Sequence, residues 1–489
     1  MPRPIATLLD RYRRLPLPLK ASVWFLACSV LQRGVSTLTT PLFTRLLTPG
    51  EYGEFAVFNS WREIISIVVT LNIFAGGYMQ GLVKFDKERE VYSSSMQGLT
   101  LTLVAAWSVV YVLFSDFWNR LFSLTTFQMS AMLVIVWASA VFQFWAVEQR
   151  VRYCYRTLVA LTLAMSVLTP VVEVAFIFWL PLEKVDARIA GLAVTSLAAY
   201  AFLFINQVRR EKRLYSRFFW RYALAFNIPL VFHYLSQVVL GSSNRIMIDR
   251  MVGAREAGIY SLAYSVSLVM TLFNSALGQS LSPWIYTKIK ERRLTDMSRV
   301  IYISSVLIAA VNLLLIGLAP EIVAVFAPPS YHEAIYVMPP VAMSAYFMFA
   351  YDLFAKVAFY REKTRLISTA SMVGAVLNVL LNLVFIPLFG YQAAGYTTLI
   401  CYVAYAVFHY LLMRSLCRRY YGGVTPCRLR TMSLITGAFM LAGFLFLATY
   451  GKNVWLRYGL MTGMAVAAWC RMGKIKEYAS YVLNVRNRK

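Results

Sequence analysis

Apolar runs of roughly 20 residues, each long enough to cross a hydrocarbon core about 30 Å thick, recur along the whole chain. They lie near 20–43, 54–78, 95–116, 125–147, 157–180, 187–207, 222–247, 257–284, 298–320, 334–357, 366–388, 393–413, 430–450 and 454–471. This pattern constrains the fold more than any motif, because a chain inside lipid must satisfy its backbone hydrogen bonds internally. The linkers run to about 5–20 residues, short of the roughly 50 that a folded domain needs. The expected fold class is therefore an all-α polytopic membrane protein with about 14 transmembrane helices.

Composition agrees: 59% of the residues are hydrophobic and 14% are charged, which excludes a soluble or disordered chain. The formal charge of +26 would suit a nucleic-acid binder. No basic helix or RNP-type motif accompanies it, so no nucleic-acid partner is expected. In a membrane protein the distribution of Lys and Arg matters more than their sum. With the N-terminus inside, the cytoplasmic segments hold about 37 of the 48 Lys and Arg and the outer loops about 9. Inner examples are RREKRLYSRFFWR at 209–221 and KIKERR at 288–293, whereas the outer loops at 320–333 and 389–392 carry none. Both termini are basic, and an even span count places both in the cytoplasm, with the start read as uncleaved. The expected location is a membrane that the chain crosses many times. The six cysteines lack CxxC spacing, so neither a disulfide framework nor a zinc site is expected, and no cofactor.

Residues 44–58, TRLLTPGEYGEFAVF, share a rhythm with 249–263, DRMVGAREAGIYSLA. Arg45 falls on Arg250, Glu51 on Glu256, Gly53 on Gly258 and Phe55 on Tyr260, 205 positions apart. Each copy joins the outer end of one span to the start of the next, and an even number of spans separates them. Such spacing marks parallel repeats in a transporter with two bundled halves; the alternative is chance convergence of turn residues. Gly50, Gly53, Gly253 and Gly258 are expected to give these turns their backbone freedom. The domain reading is an N-terminal six-helix bundle at 1–208, a basic cytoplasmic linker at 209–221, a second six-helix bundle at 222–415, and two accessory helices with a basic tail at 416–489. A substrate cavity is expected between the halves.

Charges inside the spans point to its chemistry. Arg33 lies in the first span and Arg62 with Glu63 in the second, each about 12–13 Å from the outer end at 1.5 Å per residue. An Arg at midspan costs about 2.5–3.5 kcal/mol on the insertion scale, so a wet or protein-lined environment is expected. Arg245, in GSSNRIMIDR, adds a third cation. Guanidinium groups match phosphate oxygens bidentately, which makes these three the candidate substrate-binding residues for an anion. The structural alternative is that they tie helices together. Glu63, Glu173 and Asp352 are candidates for coupling or charge pairing, with Lys356 one turn beyond Asp352. Pro170 and Pro229 are placed to kink their helices. Aromatics make up 15% of the chain and suit sugar stacking, packing or an interfacial belt, with no individual one assigned.

Three ordered blocks, PLFTRLLTPGEYGEF, IPL…SSNRIMIDRMVGAREAGIYSLAYSV and NVLLNLVFIPLFGYQAAGYTTLICY at 378–402, together resemble the oligosaccharide flippases of bacterial polysaccharide synthesis. The resemblance runs over about residues 20–415. It places the chain near the superfamily that holds multidrug exporters and the peptidoglycan lipid-precursor flippase. It implies that an undecaprenyl-diphosphate-linked oligosaccharide is moved from the inner to the outer leaflet of the bacterial cytoplasmic (inner) membrane by alternating access. A functional monomer is expected, because the cavity would lie between halves of one chain, with polymerase and export components of the same pathway as partners. Many relatives carry Asp before the Arg that ends the seventh span; here the position is Asn244. In the lipid-precursor branch a sodium site uses residues one turn apart on the eleventh span and a Thr on the twelfth. Asn378, Asn382, Thr397 and Thr398 match that spacing, without a carboxylate.

Two other readings remain. A multidrug or organic-cation antiporter of the same fold would favour acidic cavity residues. A membrane polysaccharide polymerase or ligase would need a long outer loop with catalytic groups, and His233, His332 and His409 are scattered.

Overall fold

The computed structural model describes residues 16–75, 77–451 and 454–470. The basic N-terminal segment and the tail after 470, on which the cytoplasmic placement of the termini rests, lie outside the described residues. Helices account for nearly everything described, as a chain that buries its backbone polar groups in lipid requires.

The first set of helices is α1 (Leu17–Leu46), α2 (Pro49–Thr70), α3 (Gly77–Lys84), α4 (Arg89–Leu113), α5 (Ser115–Phe122), α6 (Thr126–Val151), α7 (Tyr155–Trp179) and α8 (Lys184–Arg210). The second is α9 (Arg217–Met251), α10 (Ala254–Ser267), α11 (Val269–Lys290), α12 (Met297–Gly317), α13 (Ala319–Phe326), α14 (Ala334–Tyr360), α15 (Thr364–Phe389) and α16 (Ala393–Tyr420). Two more follow, α17 (Leu429–Thr449) and α18 (Val454–Cys470). The two sets repeat in order and in detail. Each second span is broken, at Leu71–Ala75 in one set and at Leu268 in the other. A single 3-10 turn precedes each third span, at Asp86–Glu88 and at Leu294–Asp296. An eight-residue helix, α5 or α13, follows it. The TPGE and VGAR turns sit at matching places, two residues long, between α1 and α2 and between α9 and α10. The chain is thus a pair of pseudo-symmetric helical sets with two further helices.

Among the described residues, eleven segments are long and apolar enough to cross a membrane. The expected count of 14 is not confirmed. The three that fall short are the spans expected at 20–43, 54–78 and 454–471. Gln32 and Arg33 dilute the first, Glu54, Arg62 and Glu63 interrupt the second, and α18 is described over only 17 residues, up to the last described position. The second expected span also ends early. Leu71 and Asn72 take left-handed backbone angles, φ 49° and 48°, and turn the chain before α3.

The turn glycines behave less uniformly than expected. Gly253 has φ 150°, which non-glycine residues rarely adopt, so this position needs glycine. Gly50, Gly53 and Gly258 lie within helices, and none has a positive φ. In the first turn Pro49 opens α2 instead, where its missing N–H costs nothing.

Two compact units result, one holding 51–246 with the chain up to Leu47, the other holding 247 onward with Thr48–Gly50. In the first, α6 is the buried centre, with Met132, Ile135, Ala138, Val141 and Phe144 at most 1% exposed. Its start is fixed by a capping box. The Thr125 hydroxyl accepts from the Gln128 N–H, and the Gln128 side chain accepts from the Thr125 N–H. In the second unit α14, the equivalent fourth span, is buried on nearly all sides from Ile335 to Ala358. A helix apolar around its whole circumference is one that others surround. Ser298 bonds the Pro426 carbonyl, Tyr346 bonds Thr436, and Arg457 pairs with Glu321, so α17 and α18 are built into this unit.

Candidate functional site

In the first unit, α2 and α9 are joined at midspan by two polar pairs. Ser242 on α9 donates to Oε2 of Glu63, and Arg245 donates from Nη1 to the buried Ser60 hydroxyl at 3.4 Å. These bonds bring Arg62, Glu63 and Arg245 to one region of facing helices. Arg62 is partly buried and lies within electrostatic reach of both Glu63 and Glu173. Arg33 sits near the middle of α1 and is exposed. Among the described residues, neither Arg33 nor Arg62 has a carboxylate within 4 Å, and Glu63 has no cation at that distance. Among the described residues, Arg33 and Arg62 are thus midspan cations that no carboxylate contacts directly.

Glu173 is committed elsewhere. Nε of Arg188 on α8 donates to its Oε2 at 3.0 Å, with both side chains buried. The Arg188 guanidinium carbon also lies 3.5 Å from the Phe43 ring centroid and 3.6 Å from that of Phe55. A guanidinium stacks readily on aromatic faces, and here two faces sandwich it. Phe43 and Phe55 flank the first copy of the repeated turn, so Arg188 ties that turn to α7 and α8. Sequence reasoning missed Arg188. The available signal was Glu173 itself, a buried carboxylate in a span that had to find a cation.

A second network escaped the sequence reading. Glu148 on α6 is 2% exposed and accepts from Gln207 at 2.9 Å and Arg210 at 3.1 Å, with Arg152 at 2.8 Å. Gln97 donates to Gln207 in turn. These bonds lace α4, α6 and α8 together at the end of the unit where the basic linker begins.

In the second unit Asp352 pairs with Lys356 at 2.9 Å, as their one-turn spacing predicts. Asn378, Asn382, Thr397 and Thr398 are all at most 2% exposed. Asn382 donates to Asn378 at 3.2 Å, and Thr397 donates to Asn382 across from α16 to α15. Thr398 instead donates to the Ala394 carbonyl of its own helix at 2.7 Å. The oxygens of this group are neutral and already engaged with one another, so a sodium ion would have to displace those bonds. Among the described residues, no group of three or more His, Cys, Asp or Glu could hold a metal ion.

The family described as "Polysaccharide biosynthesis protein" matches residues 19–288, more than half of the chain. The "Lsg locus putative protein 1" of Haemophilus influenzae is 23% identical over 389 residues, covering 74% of this chain and 89% of that protein. Among solved structures, "Lipid II flippase MurJ, inward closed conformation" superposes with a TM-score of 0.70 at 12% identity, over 93% of this chain and 100% of that one. An inward-facing multidrug resistance MATE family transporter of the MOP superfamily gives 0.59 at 12% identity, over 79% and 96%. At these identities the likeness is one of fold.

Proposed function

Because the chain belongs to the polysaccharide biosynthesis protein family, we propose that it is a flippase. Its cargo is an undecaprenyl-diphosphate-linked oligosaccharide, carried from the cytoplasmic to the periplasmic leaflet of a bacterial inner membrane. The observation that carries this reading is the pair of midspan arginines, Arg33 and Arg62, with no carboxylate within 4 Å among the described residues. A cation at that depth is costly in lipid, so it calls for water or an anionic ligand. A diphosphate offers the oxygens that guanidinium groups bind bidentately. Arg245, held by Ser60, joins them on the facing helix. An exporter of organic cations would be poorly served by this charge.

Alternating access supplies the movement in this reading, as the fold shared with inward- and outward-facing exporters supports. Arg188 and Lys356 neutralise Glu173 and Asp352, which leaves Glu63 as the favoured coupling carboxylate. The bonds among Asn378, Asn382 and Thr397 favour a helix tie over an ion site. The chain works as a monomer, alongside polymerase and export components of the same pathway.

The test uses right-side-out vesicles from cells lacking this gene, treated with a membrane-impermeant sugar-modifying enzyme. Protected, cytoplasm-facing lipid-linked oligosaccharide should accumulate and be cleared by the wild type. Arg33→Ala or Arg62→Ala should slow that clearance by about tenfold or more, the loss of one charge-assisted pair. Normal arrival at the outer leaflet without the gene would overturn the reading.

A further inference from the structure

Tyr351 on α14 and Tyr402 on α16 stack with ring centroids 6.4 Å apart and planes only 14° from parallel. Tyr405 braces Tyr351 edge-on at 5.0 Å, and His409 lies 5.3 Å from Tyr351. Tyr264 on α10 lies beside Tyr402 and stacks on Tyr260 at 6.1 Å. Two kinds of tyrosine meet here. The Tyr405 hydroxyl is bonded to Ser371 at 2.6 Å, as a buried phenol should be. The Tyr351 and Tyr402 residues are partly buried, and among the described residues no hydrogen bond is found to either hydroxyl. Both residues lie well inside their spans, where an unsatisfied hydroxyl facing lipid is costly. Asp352, the next residue after Tyr351, adds a partly exposed carboxylate held by Lys356.

Broad ring faces edged by hydroxyls and a carboxylate match one class of ligand. A pyranose presents a patch of C–H groups on one face and hydroxyls around its rim. The electron-rich face of an aromatic ring attracts the first, and acceptors such as Asp352 take the second. We propose that Tyr351 and Tyr402, with Tyr264 and Asp352 beside them, form a carbohydrate-binding step within the second unit that holds the oligosaccharide. This rests on the flippase reading and deepens it by assigning the sugar portion of the cargo to side chains of the second unit.

The two assignments separate in one binding experiment on the full chain in lipid nanodiscs. The probes are bare undecaprenyl diphosphate and the lipid-linked oligosaccharide extracted from polymerase-deficient cells of the same bacterium. The wild type should bind the glycosylated lipid about tenfold more tightly than the bare one. In the Tyr351→Ala/Tyr402→Ala variant that preference should fall to within about twofold while affinity for the bare lipid stays unchanged. Arg62→Ala should weaken both probes alike, and failure of the wild type to bind either would sink the flippase reading instead. A preference that survives the double alanine change, or that the wild type lacks, overturns the tyrosine step. Should the alanine variant lose bare-lipid binding through misfolding, Tyr351→Phe/Tyr402→Phe decides. A two- to threefold drop in preference, roughly one lost hydrogen bond, supports the step, and no drop overturns it.

Discussion

The Arg188 guanidinium fills a space closed by Phe43, Phe55 and Glu173, so its removal strands a buried carboxylate as well as opening a gap. Breaking a buried pair on one side costs about 3–5 kcal/mol, whereas replacing both partners with apolar groups is often close to neutral. Arg188→Met should therefore lower the melting temperature in detergent markedly, and adding Glu173→Leu should restore most of the loss. If the double variant melts no higher than the single one, the pair is not the stabilising unit. A second residue prediction concerns Glu333, which lies outside the spans at the start of α14. The Tyr391 hydroxyl donates to it at 2.8 Å, and Arg255 lies 3.3 Å away. Both hold its pKa below the ordinary carboxylate value, the hydrogen bond first. A depressed folded pKa contributes stability above the unfolded value of about 4.5, and that contribution fades as pH falls through the folded one. The Glu333 side chain is half exposed, so the effect is at most several tenths of a kcal/mol. Glu333→Gln should melt slightly below wild type at pH 7, and the gap should close as pH falls below the ordinary carboxylate value and through the depressed folded one, as paired melting curves would show. The midspan charges were readable from sequence, because a charged residue inside an apolar run stands out. Their partners were not: Arg188 lies near the mouth of its span, and only tertiary packing joins it to Glu173.

At the scale of elements, hydropathy located the helices but not their ends or interruptions. The basic flanks of α9 and α16 continue as helix beyond their apolar runs, because backbone hydrogen bonding does not stop where hydropathy falls. The break at Leu71–Ala75 was invisible to a sliding apolar window, which reads through two left-handed residues without a change in hydrophobicity. The basic linker shows the same limit. Between α8 and α9 only 211–216 is non-helical, and this segment is docked instead of free. The Trp220 indole donates to the Ser95 carbonyl at 3.0 Å, and Leu214 passes directly over Gly98 of α4. A Cβ at position 98 would lie 2.0 Å from the Leu214 carbonyl oxygen, and that obstacle is backbone, not a side chain that can swing away. Gly98→Ala should lift the linker off α4 while leaving both helices intact. Trypsin should then cut after Lys212 or Arg213 about tenfold faster, the response to roughly 1.4 kcal/mol of local destabilisation. An unchanged digestion rate would mean that the segment is already open in the wild type.

For the whole molecule, the repeat was legible because both copies keep the same turn chemistry, and the turn fell at matching places in both helical sets. Its deeper extent was not legible. The paired breaks, paired 3-10 turns and paired eight-residue helices carry no shared residues that a search by eye would catch. Parallel repeats make a demand on topology: equivalent elements of the two sets must face the same side of the membrane. Charge gives the direction, since the 209–221 segment is rich in Lys and Arg while 320–333 holds none. Between Arg213 and Glu333 the chain crosses by α9, by the α10–α11 pair and by α12, an odd number that sets the two residues on opposite faces. With α2 counted as a crossing, as the parallel repeat requires, the number between Thr48 and Glu333 is even and those two share a face. Single cysteines at these three positions, in a parent stripped of native cysteines because Cys154 is exposed, test all of this with one impermeant maleimide. Thr48→Cys and Glu333→Cys should label in intact cells, and Arg213→Cys only after permeabilisation. A uniformly reversed pattern would invert the molecule and put the basic segments outside. If Thr48→Cys and Glu333→Cys labelled from opposite faces, one of the intervening spans would not cross, and the parallel repeat would fail with it.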